Sequence, residues 1–218
     1  MHHELQRFDD AHALAEHAAQ FVVKRAQLAS QRGKTFHFAV SGGSTPWAMF
    51  AKLTTLDVPW ESFVIYQVDE RIAPIGDPDR NLTHLASSLS TVQVTIQPMP
   101  VNDSDLAVAT KNYGNLLPSR FDLIHLGLGP DGHTASLVPG DAVLDITDRP
   151  VATTGIYDGH QRMTLTYPAL ERADEILWLI SGADKRRALG QLLSGDLSIP
   201  AARVTAAHST IMADAAAI

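Results

Sequence analysis

Two residues of the run Gly127-Leu128-Gly129-Pro130-Asp131-Gly132-His133 could move a proton. An imidazole has a reference pKa of about 6.5, so it can accept one near neutral pH, and a carboxylate two residues away can orient the ring. Asp131 and His133 therefore read as an orienter and a base. A second segment, Ser41-Gly42-Gly43-Ser44-Thr45-Pro46, offers a different chemistry. Its glycines would let backbone N–H groups approach a phosphate, its hydroxyls add donors, and Pro46 suits a first helical turn. The same residues also suit a plain tight turn capped by Ser44 or Thr45. Asp69-Glu70-Arg71 sets an acid and a guanidinium side by side, either at the rim of a site or in an exposed salt-bridged turn. Arg162 and Lys185 are isolated cations, which taken singly read as solvated surface charges.

Competing chemistries fit these residues less well. Gly127, Gly129 and Gly132 satisfy the G-x-G-x-x-G spacing of dinucleotide-binding turns. Pro130 and His133 intrude on such a turn, however, Pro139-Gly140 would stop its helix within two turns, and no second strand ends in an acid about 20 residues on. Metal ligation by His125, Asp131 and His133 lacks any recognised ligand spacing, and His125 alternates with apolar neighbours as a core or rim histidine would. With no cysteine in the chain, thiolate nucleophiles and disulfides are excluded.

These segments need elements to hold them. Apolar periodicity predicts a helix over 9–28 capped by Asp9 or Asp10, a strand over 35–40, and a helix from the glycine turn to about Leu53. A strand over 63–68 runs out into Asp69-Glu70-Arg71, and a helix follows over 81–89. Further strands are expected at 121–126, 163–166 and 175–180, with a last helix over 183–193. The less regular stretch 139–159 would hold a loop or a small accessory hairpin. Near-continuous apolar strands alternating with helices imply an α/β fold, a mostly parallel sheet covered by helices on both faces. Ligands of such sheets bind beyond the carboxyl ends of the strands, where the polar segments fall. The 218 residues, 45% hydrophobic and 19% charged, suit one domain over 1–218.

Bulk charge narrows the partners. Asp and Glu number 24 against 17 Lys and Arg, a net charge of −7 that would repel a nucleic-acid backbone. A small anionic ligand must then be met by locally gathered cations and amides. Residues Met1 to Arg7 lack the apolar core of a signal peptide, and no apolar run approaches the length of a membrane span, so a cytoplasmic location is expected.

Taken together, Ser41 to Pro46, Asp69-Glu70-Arg71 with Asn81, Leu126 to Leu137 and Arg162 to Thr166 resemble, in order and spacing, the motifs of 6-phosphogluconolactonases. The resemblance spans nearly the whole chain, and the Pro130-Asp131-Gly132-His133-Thr134-Ala135-Ser136 stretch is its most specific part. It implies a Rossmann-like α/β fold and hydrolysis of 6-phospho-D-glucono-1,5-lactone in the oxidative pentose phosphate pathway, without cofactor or metal. Related glucosamine-6-phosphate deaminases share two of the motifs but carry a glutamate five residues after the histidine, where this chain has Val138. Sugar-phosphate-binding regulators of the same fold add a DNA-binding segment and would not need His133. By resemblance, His133 is the general base on water and Asp131 its orienter. The C6 phosphate falls to Ser41, Gly42, Gly43, Ser44 and Thr45 with Arg162 and Lys185, while Arg71 faces the lactone end or a ring hydroxyl and Asp69 and Asn81 shape the pocket. Monomer and dimer both remain open.

Overall fold

Alternating apolar segments and amphipathic helices assemble here into a covered sheet, as a computed structural model describing residues 3–218 shows; Met1 and His2 lie outside the described residues. In chain order the elements are β1 (Glu4–Phe8), α1 (Ala11–Gln31), β2 (Phe36–Val40), α2 (Ser44–Leu53), β3 (Phe63–Gln67), β4 (Asp69–Arg71), α3 (Asn81–Ser88), β5 (Thr95–Gln97) and α4 (Leu106–Leu116). They continue with β6 (Leu123–Leu126), β7 (Val151–Tyr157), β8 (His160–Leu165), α5 (Tyr167–Leu170), β9 (Glu175–Ile180), α6 (Arg186–Ser194) and β10 (His208–Asp214). Seven strands pair in the order β1-β10-β9-β6-β2-β3-β5, every pairing parallel. A second sheet, β4-β8-β7, is antiparallel.

Side-chain alternation explains why the main sheet is sealed on both faces. Phe36, Phe38 and Val40 of β2 join Phe63, Ile65, Leu177 and Leu179 in one core, beneath α1. Ala39, Tyr66, Ile124, Leu126, Ile176 and Trp178 point into the other. Helix α1 turns Leu14, Ala18, Val22 and Ala26 inward at helical spacing, and the expected cap is Asp10, whose carboxylate accepts from Ala13 N–H at 2.8 Å.

Sequence periodicity and structure part company at several points. The strand expected to run from 63 into Asp69-Glu70-Arg71 is two strands. Val68 N–H still donates to Val40 O (3.0 Å) in the main sheet, whereas Val68 O accepts from Leu165 N–H (2.7 Å), so the chain changes sheets at this residue. Residues 163–166 do not form a core strand of the parallel sheet; up to Leu165 they lie in β8 of the small one. The irregular stretch before Gly159 supplies β7, which with β8 makes the accessory hairpin. Elements β1, β5, α4 and β10 carry no expectation from sequence. Two are short or charged edge strands, and β10 opens on the polar His208-Ser209-Thr210 although it pairs on both sides.

Candidate active site

Chain order and strand order reverse between β2 and β6, because the chain runs outward from β2 to β3 but from β6 to β9 on the other side. A crevice opens at such a point beyond the strand ends. It is a cleft of about 480 Å³ lined by Ser41, Gly42, Gly43, Ser44, Thr45, Asp69, Arg71, Asn81, His133, Arg162 and Lys185. Of the residues that the resemblance assigns to catalysis or substrate binding, Asp131 alone is missing from the wall, and it bonds to His133 behind it. A larger hollow of about 770 Å³ lies between α4 and β7, lined by Leu106, Lys111, Arg149 and Arg172. It shares no lining residue with the cleft or the histidine turn, and size alone does not make a reactive site.

The turn after β6 builds a carboxylate–imidazole pair. His133 Nδ1 lies 2.6 Å from Asp131 Oδ1, and His133 N–H donates to the same oxygen at 3.1 Å. Burial works to raise the Asp131 carboxyl, but these two bonds, the imidazole charge and a Tyr157 hydroxyl outweigh it and hold the group below its ordinary value. An ionised carboxylate only accepts, so the hydrogen sits on Nδ1 and the Nε2 lone pair is left to act as base. Gly129 is needed for this packing, since a Cβ there would lie 2.0 Å from His133 Nδ1. No helix follows the three glycines; the G-x-G-x-x-G spacing serves a loop that folds back on itself through Gly129 N–H to His133 O at 2.8 Å.

Strand β4 and the hairpin gather the cations. Arg71 and Arg162 occupy directly paired positions on β4 and β8. Like charges across a ladder repel, so the pair favours an anion between or beside them. Arg71 Nη1 donates to Asp79 O (2.7 Å) and Asn81 Oδ1 (2.8 Å), while Nε of each guanidinium is buried with no protein partner among the described residues. Burial and the neighbouring Arg71 lower the Arg162 pKa, partly offset by Asp69. Asp69 is itself pushed up by burial, against the pull of Ser136, which donates to Oδ2 at 2.7 Å, and of the two guanidiniums. Lys185, just before α6, lies 2.8 Å from Asp184.

Beyond β2, the glycine turn delivers the amides of α2's first turn, which have no partners within the helix. Gly42 must be glycine, because a Cβ would meet Asn81 Oδ1 at 1.9 Å. One detail differs from the expectation that the Ser41 to Thr45 amides and hydroxyls hold a phosphate. Ser41 N–H donates to His125 Nδ1 (3.3 Å), leaving Ser41 only its hydroxyl, which is buried without a partner among the described residues. His125 is a core histidine, fully buried, and desolvation drives its pKa down to about 3.

Several residues at the site carry no sequence expectation. Trp47 stacks on His84 at the mouth (5.7 Å between centroids), and Asp79, Pro78 and Ser181 complete the wall. Glu70 is wholly buried and accepts from the N–H groups of Arg71, Asn81 and Leu82, each at 2.8 Å, bracing the start of α3. Its place in the Asp-Glu-Arg triplet was the only signal. Tyr157 touches both members of the carboxylate–imidazole pair.

Fold and cleft define an α/β protein whose switch-point crevice gathers a helix N-terminus, two cross-strand guanidiniums and a carboxylate-paired imidazole. Comparison with known proteins makes the class specific. The model of the glucosamine-6-phosphate isomerase/6-phosphogluconolactonase family matches residues 9–213, and the chain belongs to that family. A 6-phosphogluconolactonase of Synechocystis is 36% identical over 170 residues, covering 72% of this chain and 70% of its own. One from Nostoc is 32% identical over 208 residues, 88% and 86% of the two chains. The crystal structure of a 6-phosphogluconolactonase from Shewanella baltica superposes with a TM-score of 0.85 at 25% identity over 98% of both chains.

Proposed function

We propose that this chain hydrolyses 6-phospho-D-glucono-1,5-lactone to 6-phosphogluconate, the lactonase step of the oxidative pentose phosphate pathway, with His133 as general base. The observation that carries the reading is the Asp131-oriented imidazole on the wall of a cleft that also holds the Arg71 and Arg162 pair. A lactone carbonyl is already electrophilic, so its hydrolysis needs an activated water, a stabilised oxyanion and a held substrate. His133 Nε2 takes a proton from water as the oxygen attacks C1. The tetrahedral intermediate then collapses, the ring C–O bond breaks, and the proton passes to the departing hydroxyl.

In this reading the amides of residues 42–45, the Ser41 hydroxyl, Arg162 and Lys185 hold the C6 phosphate. Arg71, with Asp69 and Asn81, faces the lactone end. The relatives at 32% and 36% identity favour the lactonase over the deaminase side of the family. So does Val138, an apolar and nearly buried residue where the deaminase glutamate would stand. Among the described residues no helix is long and apolar enough to cross a membrane, and a single cytoplasmic domain over 1–218 suits a metabolic enzyme of this kind.

Purified protein should remove the phosphorylated lactone faster than the enzyme-free background, in chelator as well as without it, and should release no ammonia from glucosamine 6-phosphate. Ammonia release at a rate comparable to lactone opening would overturn the assignment.

A further inference from the structure

Tyr157 has no part in the roles above, yet the backbone is built to aim it. Thr153 pairs with Met163 but Ile156 pairs with Gln161, so β7 carries one residue more than β8 across that stretch. The bulge is pinned at both of its residues. Asp141 Oδ2 accepts from Gly155 N–H at 2.8 Å, and Thr154 Oγ1 accepts from Arg162 N–H at 3.2 Å. Because side chains alternate along a strand, one inserted residue reverses the face on which every later side chain stands. Tyr157 is thereby turned to the acid–base pair.

Three contacts meet on this ring. Its hydroxyl donates to Asp131 Oδ2 at 3.2 Å, the carboxylate oxygen that His133 does not use. The ring meets the His133 imidazole edge-on, with centroids 5.3 Å apart. The Arg162 guanidinium lies over the ring, 5.1 Å from its centroid, and Nη2 donates to the Tyr157 carbonyl at 3.3 Å. A carboxylate held by one oxygen can swivel about its own bond; held by both, it fixes the ring it orients.

We propose that Tyr157 is the positioning residue of the lactonase site, clamping Asp131 through its free oxygen so that His133 Nε2 stays aimed at the attacking water, and tying that pair to Arg162. This rests on the lactonase reading. Burial and the neighbouring Asp131 keep the phenol protonated, as a donor must be. The charged groups around it are Asp131, Arg162 and Asp158, with His133 behind Asp131.

A double-mutant cycle tests the route of action. Tyr157→Phe keeps the ring-face contacts with His133 and Arg162 but removes the hydroxyl, which bonds Asp131 Oδ2 and lies 3.5 Å from His133 Nδ1, and should lower kcat about tenfold with KM within about twofold. In an Asp131→Asn background the same change should alter kcat by less than about twofold, because the group through which Tyr157 acts is already lost. Tyr157→Ala should in addition raise KM for the phosphorylated lactone, since the support of Arg162 is gone. A wild-type kcat in Tyr157→Phe, or the same loss in both backgrounds, would overturn the proposal. The His133 Nδ1–H resonance, followed by NMR without substrate, supplies a readout independent of turnover. Its exchange with solvent should speed up in Tyr157→Phe, and an unchanged exchange rate counts against the clamp. Absence of lactonase activity in the wild type would sink the functional reading alone, and the exchange measurement would then decide Tyr157.

Discussion

At the scale of single residues, the proposed roles give chemistry to His133 and phosphate binding to Arg162, and the two should fail differently. His133→Ala removes the base but no contact assigned to the phosphate. It should lower kcat by about 100-fold or more with little change in KM, measured as lactone loss above background by a protein of unchanged circular dichroism. Arg162 should behave otherwise. If it holds phosphate, Arg162→Ala should damage kcat/KM for the phosphorylated lactone far more than for plain gluconolactone, because charge-assisted bonds worth about 1.5–3 kcal/mol each are lost only with the former. Arg162→Lys should recover part of the loss, since an ammonium cannot pair bidentately. An Arg162→Ala defect of equal size on both lactones would move Arg162 out of the phosphate site. The histidine turn and the glycine turn were visible in the sequence because their motifs are local, Asp131 and His133 sharing one and Ser41 to Thr45 the other, whereas Arg162 alone read as a surface charge. Tyr157 was not visible, since its partner lies 26 residues away and meets it only through the hairpin.

Elements decide how closely these groups can approach. The loop after β6 brings its own backbone against the imidazole, and the Gly129 position leaves no room for a Cβ at 2.0 Å from His133 Nδ1 and 2.7 Å from Asp131 Oδ1. Gly129 does not need a left-handed conformation, because its φ is not positive. Gly129→Ala should therefore spare the backbone and displace the acid–base pair. We expect kcat to fall by about tenfold or more while the melting temperature stays within about 3 °C of wild type, a drop larger than that pointing instead to a folding role. Strand β4 illustrates the same scale from the other side. Its three residues are too few for a periodicity argument, and they read as the tail of β3 until Val68 is seen to bond both sheets. That change of sheet sets Arg71 opposite Arg162.

For the whole molecule, the histidine beneath the glycine turn ties stability to pH. His125 is fully buried and neutral, its value in the folded protein driven down to about 3 by desolvation, against a reference of about 6.5 in an unfolded chain. A depressed value means that the folded state binds fewer protons than the unfolded one. The stability this contributes is complete above pH 6.5 and is lost as pH falls from there toward 3, at about 1.4 kcal/mol per unit. His125→Asn keeps an acceptor for Ser41 N–H and cannot titrate. Between pH 7 and pH 5 the wild-type melting temperature should therefore drop by roughly 4–8 °C more than that of His125→Asn. Parallel falls in both proteins would show that other groups govern the acid transition.

Local chemistry in the sequence determined the strands and helices of strong periodicity, the turn that joins Asp131 to His133, the glycine turn before α2 and the family to which the chain belongs. Each of these is written within a few consecutive residues, where spacing and side-chain type act directly on the backbone. What only the tertiary structure decided are the relations that no short window contains. These are the exit of the chain from the main sheet at Val68, the cross-strand meeting of Arg71 with Arg162, the loss of the Ser41 amide to His125, and the bulge that turns Tyr157 toward Asp131. Pairing register fixes all four, and register depends on how two distant segments bury their faces together rather than on the preference of either alone.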